Sequence, residues 1–178
     1  RRSAALGAAA LAGVLAAERD PALPVNGVSL RGLGGTAASL TEGEIDSLVR
    51  GGVTPLESLG GVTSPIRGIT TKTKTGGAAD ASWREITTIL IVDDVIPTLR
   101  ESLGAKFLRS KNTARNRGAI RAQVIVELER KREAEIIEGY GEVTAQASED
   151  DPTVCEVEFP FAVAHGLNQI YLTAHITV

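Results

Sequence analysis

Three side chains of this sequence could ligate a metal or attack a substrate: the single cysteine, Cys155, and the two histidines, His165 and His175. Each lies ten residues from the next, whereas structural zinc usually takes four ligands, with pairs of them close in sequence. Cys155 alternates with Val157 and Phe159, which is typical of a small apolar residue facing inward and not of an activated nucleophile. We therefore predict no metal, no cofactor and no cysteine–histidine nucleophile.

Two pairs of adjacent carboxylates, Asp93-Asp94 and Asp150-Asp151, could suggest acid–base chemistry. The carboxylates of an acid–base pair face each other across a site, whereas side chains of adjacent residues usually diverge. We interpret the first pair as a helix N-cap and the second as part of a turn before Pro152.

The glycine cluster "RGLGGT" is the only stretch that resembles a phosphate-binding loop. It does not follow the pattern G-x-G-x-x-G and lacks the Gly-Lys-Ser/Thr ending of a P-loop. We interpret it as a tight turn. Since a G-x-S-x-G motif is also absent from the sequence, we predict that the protein is not an enzyme.

A basic run is the strongest charge feature, because six cations and no acidic residue lie between Ser102 and Val126. The run has three interpretations: a solvated helix face, a contact surface for an acidic partner, or a nucleic-acid interface. Only one aromatic residue, Phe107, lies among the cations, and a single ring does not provide a stacking platform for successive bases, which disfavours nucleic acid. The cations are Lys106, Arg109, Lys111, Arg115, Arg117 and Arg121.

The composition is that of one ordinary domain, with 43% hydrophobic residues in 178 and a net charge of −3. Aromatic residues make up only 3%, so the core must consist mainly of Ala, Val, Ile and Leu. The charge gives no global reason to bind nucleic acid or anionic membranes. A single cysteine forms no intramolecular disulfide, which fits a reducing compartment.

The first stretch, "RRSAALGAAALAGVLAAE", combines two basic residues with an apolar run. This pattern imitates a signal peptide, but the run is too short to span a bilayer. We predict an amphipathic packed helix ending near Glu18, and a signal peptide stays the alternative. Because the sequence contains no methionine, we interpret it as the C-terminal part of a longer protein.

In the first half of the chain, Thr41 and Glu44 form a capping box before a short helix that Gly51-Gly52 ends. Residues 66–75 predict a strand, and "WREITTILIV" predicts its partner strand across a polar loop. We therefore expect an antiparallel hairpin here.

Two helices follow this predicted hairpin. Asp93-Asp94 predicts the start of the first, with Pro97 in its first turn. The second and longest is predicted from about Thr113 to Ile137, with a buried stripe of residues four apart. We place a Glu127–Lys131 pair on its solvent side. The buried stripe consists of Ile120, Val124 and Leu128.

The last third of the sequence predicts strands. "EVTAQAS" predicts one, "TVCEVEFPFAVAHG" a longer one with Pro160 inside it, and "QIYLTAHITV" alternates apolar and polar residues without Gly or Pro. The predicted fold class is α+β: a mainly antiparallel sheet with two central helices packed on one face, an N-terminal helix and an extended C-terminal strand.

Five stretches, in their order and spacing, resemble tail sheath proteins of contractile-tailed bacteriophages, and the Mu-like phage sheath in particular. The resemblance covers nearly the whole chain, and no single motif carries it. The stretches are "GVTPLE", "PIRGITT", "WREITTILIVDDVI", "KNTARNRGAIRAQVIVELERKREAEII" and "IYLTAHITV".

The resemblance implies a structural subunit in the virion tail, assembled in the host bacterial cytoplasm. Its partners would be other sheath subunits, in stacked hexameric rings, and the tail tube protein; it would insert into no membrane and bind no nucleic acid. Contraction of the rings would drive the tube through the host envelope. Alternatives are a sheath subunit of a related contractile injection system, pyocin-like or type VI-like, and a nucleic-acid-binding module using the basic run.

The resemblance also implies an organisation and two sets of site residues. We expect a single C-terminal sheath domain over 1–178, with an N-terminal helix in 1–20, a core in 21–167 and an arm strand in 168–178. The six cations of the basic run are the candidates for the tube-facing surface. The expected inter-subunit strand consists of Gln169, Ile170, Tyr171, Leu172, Thr173, Ala174, His175, Ile176, Thr177 and Val178.

Overall fold

The computed structural model describes residues 4–168 and 170–175. Four helices occur in this part of the chain, and each is joined to the next by loops or short strands. They are α1 Ala4–Ala17, α2 Glu42–Arg50, α3 Ile86–Phe107 and α4 Ala114–Glu133.

The strands of the described residues pair two by two, and every pair is antiparallel. Helices together with antiparallel pairs confirm the α+β prediction. The pairs are β1 Leu56–Leu59 with β2 Val62–Pro65, β3 Lys74–Thr75 with β4 Ala78–Ala79, β5 Ile137–Tyr140 with β8 Phe161–Val163, and β6 Thr144–Ala147 with β7 Cys155–Glu158.

The chain divides into two compact units. Unit 1 takes the described residues of 1–19, 23–87 and 165–178, and unit 2 takes 20–22 and 88–164. Whether the two units form one domain over 1–178 stays a prediction.

Unit 2 is built around an apolar core supplied by α3, α4 and the start of β5. Ile91, Val95, Val124 and Leu128 are all 0% exposed. The two helical pairs are each spaced by four residues, which places each pair on one helix face. Val124 and Leu128 confirm the predicted stripe of α4, whose third residue, Ile120, is partly buried and whose N-cap is Thr113. The helix predicted to be the longest has 20 residues, two fewer than α3.

The predicted hairpin over residues 66–92 is wrong. In its first half only Lys74–Thr75 forms a strand, which pairs with Ala78–Ala79, and its second half forms no strand. Ile69 forms only an isolated bridge with Glu85, and α3 begins at the next residue, Ile86. The β-branched run in "WREITTILIV" fits a strand and a buried helix equally well on periodicity alone. Because α3 begins early, Asp93 and Asp94 lie in its interior and are not its N-cap.

Pro97 also lies inside α3 and not in its first turn. Its missing N–H removes one backbone donor from the helix. The next residue, Thr98, donates its hydroxyl to the carbonyl oxygen of Asp94 at 2.7 Å. The side chain thus supplies a hydrogen bond to the helix one turn back.

The predicted solvent-side pair Glu127–Lys131 is also wrong. Glu127 is buried at 7% exposure and accepts hydrogen bonds from Ser102 Oγ at 2.8 Å and Gln123 Nε2 at 2.7 Å. Lys131 reaches instead across to α3, where its Nζ lies 2.5 Å from Asp94 Oδ2. Both residues therefore join α4 to α3.

Pro160 interrupts the long strand predicted over "TVCEVEFPFAVAHG". The stretch forms two strands that pair with different partners, β7 with β6 and β8 with β5. Proline has no N–H to donate to a ladder, so the chain changes partner at this position.

Unit 1 contains a few buried apolar residues and many hydrogen-bonded turns. The capping box of α2 is present as predicted, with Glu44 N donating to Thr41 Oγ1 at 3.4 Å and Thr41 N to Glu44 Oε2 at 2.8 Å. The first helix, α1, ends one residue before the predicted Glu18.

Candidate contact surfaces

The loop between α3 and α4, residues 108–113, carries the centre of the basic run. Its backbone turns tightly, with Ser110 N donating to Phe107 O and Thr113 N to Lys111 O, both at 2.9 Å. The Thr113 hydroxyl then accepts from Asn116 N at 3.3 Å and caps α4. The loop is therefore ordered by its own hydrogen bonds.

Asn112 ties this loop to the turn between β6 and β7. Its Nδ2 donates to Pro152 O at 2.8 Å and to Val154 O at 3.0 Å. Its Oδ1 accepts from Arg117 Nη1 at 3.1 Å. A single side chain thus joins the loop, the first turn of α4 and the β6–β7 turn.

The β6–β7 turn is itself ordered by Asp151. Its Oδ1 accepts from Thr153 Oγ1 at 2.6 Å and from Thr153 N at 2.8 Å. These hydrogen bonds, that from the Thr153 hydroxyl first, hold the pKa of Asp151 below its ordinary value. This agrees with the predicted turn role of Asp150-Asp151.

Three of the predicted cations are used within the chain. Lys106 Nζ donates to Gln123 Oε1 at 2.6 Å, and Arg121 Nε donates to Val143 O at 2.7 Å. Arg117 is held by Asn112. Their charged groups help to fix α3, α4 and β6 in place.

The other three cations, Arg109, Lys111 and Arg115, are exposed. Among the described residues their side chains make no hydrogen bond or ion pair. They lie on the loop and at the start of α4, and we refer to these three exposed cations as the cationic surface.

Sequence reasoning missed two residues of the same loop. Leu108 is 86% exposed and directly precedes Arg109. Asn112 was missed because its partners lie 40 and 42 residues further along the chain. No local pattern signals such a distant contact.

The segment leading to the chain end is attached to unit 1 at two points. Gly166 lies so close to Pro24 that an added Cβ would approach Pro24 Cβ to 2.8 Å. Asn26 Nδ2 donates to Asn168 Oδ1 at 2.8 Å. Residues 166 and 168 therefore line a small cleft of unit 1 together with residues 24–26.

Beyond this attachment, residues 170–175 adopt neither helix nor strand. Ile170 is 78% exposed, Tyr171 87% and Leu172 92%. The expected pairing with another chain stays a prediction. The remaining predicted strand residues, Gln169, Ile176, Thr177 and Val178, lie outside the described residues.

The described part of the chain has no group of three or more His, Cys, Asp or Glu residues placed to hold a metal ion. Within the same residues, no helix is long and apolar enough to cross a membrane.

The family model of the phage tail sheath C-terminal domain matches residues 78–177. More than half of the chain is covered, and the chain belongs to this family of structural tail proteins. No curated protein matches the sequence.

Solved structures with the same fold include a chain of a prophage baseplate and two sheath tail proteins. A chain of the anti-feeding prophage (AFP) baseplate, six-fold symmetrised, superposes with a TM-score of 0.74 and 16% identity over 93% of this chain and 48% of that one. The sheath tail protein of Desulfitobacterium hafniense superposes with a TM-score of 0.66 and 14% identity, over 86% of this chain and 39% of that one. The sheath tail protein of Listeria innocua superposes with a TM-score of 0.63 and 11% identity, over 86% of this chain and 40% of that one. The chain thus spans half or less of the length of each relative.

Proposed function

We propose that this chain is the C-terminal region of a structural sheath subunit, which polymerises as stacked hexameric rings around a tail tube. Contraction of these rings drives the tube through the host envelope, and the protein acts in the virion tail after assembly in the bacterial cytoplasm. The match of the sheath family model to residues 78–177 carries the proposal. Its partners are other sheath subunits and the tube protein, and it performs no catalysis.

The inter-subunit strand of this proposal is residues 169–178. Its described part belongs to no strand, exposes Ile170 and Leu172, and alternates apolar with polar side chains. Such a segment adds to the sheet edge of a neighbour through main-chain hydrogen bonds, while alternate side chains fill pockets. An exposed segment with strand-forming residues promotes unwanted association in a monomer, whereas in a polymer the same pairing connects neighbouring subunits.

The tube-facing surface of this proposal is the basic run. Only Arg109, Lys111 and Arg115 have charged groups that are not used in hydrogen bonds within the described chain, so we assign the charge contact to them. Lys106, Arg117 and Arg121 support the surface from behind by fixing the helices.

Electron microscopy of the full subunit tests the assembly. We expect helical tubes or rings in negative stain, and their loss when the chain stops after Asn168. This stop keeps the Asn26–Asn168 hydrogen bond, so a folded but non-assembling protein is expected by circular dichroism. Normal polymerisation of the shortened protein would overturn the role of the segment.

Single prolines sharpen this test. A strand that pairs along one edge uses the N–H groups of alternate residues. Of the variants Leu172→Pro and Thr173→Pro, one should therefore block assembly much more than the other. Equal tolerance of both would show that main-chain pairing at this position is not the joint.

A second candidate is a sheath subunit of a related contractile injection system. It is favoured by the chain of the anti-feeding prophage baseplate, which superposes over 93% of this chain. Micrographs of particles carrying the protein separate the two: tails joined to filled heads support a phage, and headless tails support an injection system.

A further inference from the structure

We propose that Leu108 is an apolar anchor beside the cations of the cationic surface, and that Asn112 holds the loop in its binding conformation. The partner surface would be acidic, with an apolar depression that takes the leucine. The inference rests on the proposed function only in taking the tube protein as the owner of that surface.

Leu108 is an apolar residue whose side chain lies almost entirely in solvent. It is 86% exposed, whereas the preceding residue, Phe107, is partly buried at the end of α3. Single exposed leucines are common on protein surfaces, so exposure alone assigns no role. The position of Leu108 makes it notable, because it directly precedes Arg109 and lies three residues before the other exposed loop cation, Lys111.

An exposed apolar side chain beside exposed cations in the same loop combines two contributions to binding. Burial of the apolar group supplies affinity, and the neighbouring charges select a partner of opposite charge. Arg109, Lys111 and Arg115 match an acidic surface, and the chain offers no aromatic side chains among them on which bases could stack.

The loop is also unusually well fixed for an exposed connection. Asn112 makes three side-chain hydrogen bonds, two of them to the β6–β7 turn. Asn116 Nδ2 adds a further bond to Lys111 O at 2.7 Å. A surface that is already ordered loses little conformational entropy on binding, which raises affinity. Asn112 is therefore a positioning residue.

The test uses the full chain and two immobilised acidic probes, poly-L-glutamate and a random copolymer of glutamate and leucine. We expect tighter binding to the copolymer. Leu108→Ser should remove this preference, with about a tenfold loss of affinity for the copolymer. Leu59→Ser, at another exposed leucine (73%) outside the basic run, is the matched control and should change neither affinity.

The charges and the positioning residue have their own signatures. Reversal of Arg109, Lys111 and Arg115 to glutamate should abolish binding to both probes. Asn112→Ala should weaken binding to both and speed amide hydrogen exchange at Ser110 and Thr113, while Leu108→Ser should leave exchange unchanged. Unchanged exchange in Asn112→Ala would overturn its positioning role.

Other outcomes separate this inference from the proposed function. If both probes bind equally, the leucine anchor is wrong, whereas tube formation in the microscope still supports the sheath assignment. If duplex DNA binds more tightly than either probe, the acidic protein surface is wrong. If Leu108→Ser reduces self-association in sedimentation without any probe, the leucine contacts a second copy of the chain and the proposed partner is wrong.

Discussion

Unit 2 is almost one continuous stretch of chain around an apolar core, whereas unit 1 is assembled from three separate stretches. In unit 2 the buried side chains of α3 and α4 form one apolar cluster with Ile137 and Val143. In unit 1 the chain is held largely by hydrogen bonds between loops and short strands, such as Leu30 N to Thr63 O at 2.8 Å and Ile69 N to Thr54 Oγ1 at 2.9 Å.

This difference shows where each kind of substitution should be costly. A core of packed side chains loses stability when a substitution removes side-chain volume. A unit of turns and close backbone approaches loses stability when a substitution adds volume or changes the allowed backbone conformations. The following substitutions test this contrast.

The largest effect is expected in the core of unit 2. Leu128→Ala removes a side chain that is 0% exposed and should lower the free energy of unfolding by about 2–5 kcal/mol. Leu108→Ala makes the same chemical change at 86% exposure and should have almost no effect. Urea denaturation followed by circular dichroism measures both, and equal losses would refute the assigned core.

The same variant tests the single-domain prediction. The only tryptophan, Trp83, lies in unit 1, so its fluorescence follows that unit, whereas the helical signal comes mostly from α3 and α4. A single domain requires both transitions to shift together in Leu128→Ala. Separate transitions would show two domains.

A somewhat smaller effect is expected at Gly68 in unit 1. An added Cβ would lie 2.7 Å from methyl carbons of both Val25 and Ile86. Gly68→Ala should therefore destabilise the protein by about 1–3 kcal/mol. Gly13→Ala, in α1 with open space around it, is the matched control and should stabilise, because alanine favours a helix. If Gly68→Ala left the free energy of unfolding unchanged, the side chains of Val25 and Ile86 would move away from the added methyl group at little cost.

Glu127 tests whether the polar contact between α3 and α4 adds to the core. Hydrogen bonds, chiefly from Ser102, hold its pKa below the ordinary 4.5 although burial opposes them. The carboxylate therefore stabilises the fold fully above pH 4.5, and this contribution is lost as the pH falls through the lower folded pKa. Glu127→Gln should lose about 1–3 kcal/mol at pH 7.

The pH series supplies the check on this prediction. The difference between wild type and Glu127→Gln should shrink in urea denaturation at pH 3 relative to pH 7. Glu101→Gln, at an exposed glutamate of α3, is the control. A difference for Glu127→Gln that does not change with pH would contradict a role for the charge.

The smallest effect should be a gain of stability. Glu135 follows α4 with a φ of 57°, a conformation that favours glycine. Glu135→Gly should stabilise the protein by up to about 1 kcal/mol, whereas Ala122→Gly, at an exposed position in the interior of α4, should destabilise it by a similar amount. Thermal midpoints of the two variants should move in opposite directions, and a fall in both would mean that Glu135 is not strained.

Local signals in the sequence predicted the elements whose determinants are close together. The capping box of α2 and the start and apolar stripe of α4 depend on residues within a few positions of each other, and they are confirmed. The start of α3 was predicted wrongly because its β-branched residues satisfy both periods, and only burial between helices decides.

The candidate surfaces were only partly predictable, since a sequence shows charges but not their partners. The basic run was visible, but the division between Arg121, which bonds to Val143, and the exposed Arg109 depends on tertiary structure. Likewise, nothing local placed Glu127 in the interior, because its partner Ser102 lies on another helix.

The discontinuity of unit 1 has a consequence for synthesis on the ribosome. Residues 88–164 emerge as one uninterrupted length, so unit 2 has its helices and strands before the chain reaches Gly166. Unit 1 is complete only after Gly166 and Asn168 have contacted Pro24 and Asn26, which are synthesised more than a hundred residues earlier. The exposed segment that follows therefore leaves the ribosome last among the described residues, which would delay the contact with other copies that we propose for it until both units have been synthesised.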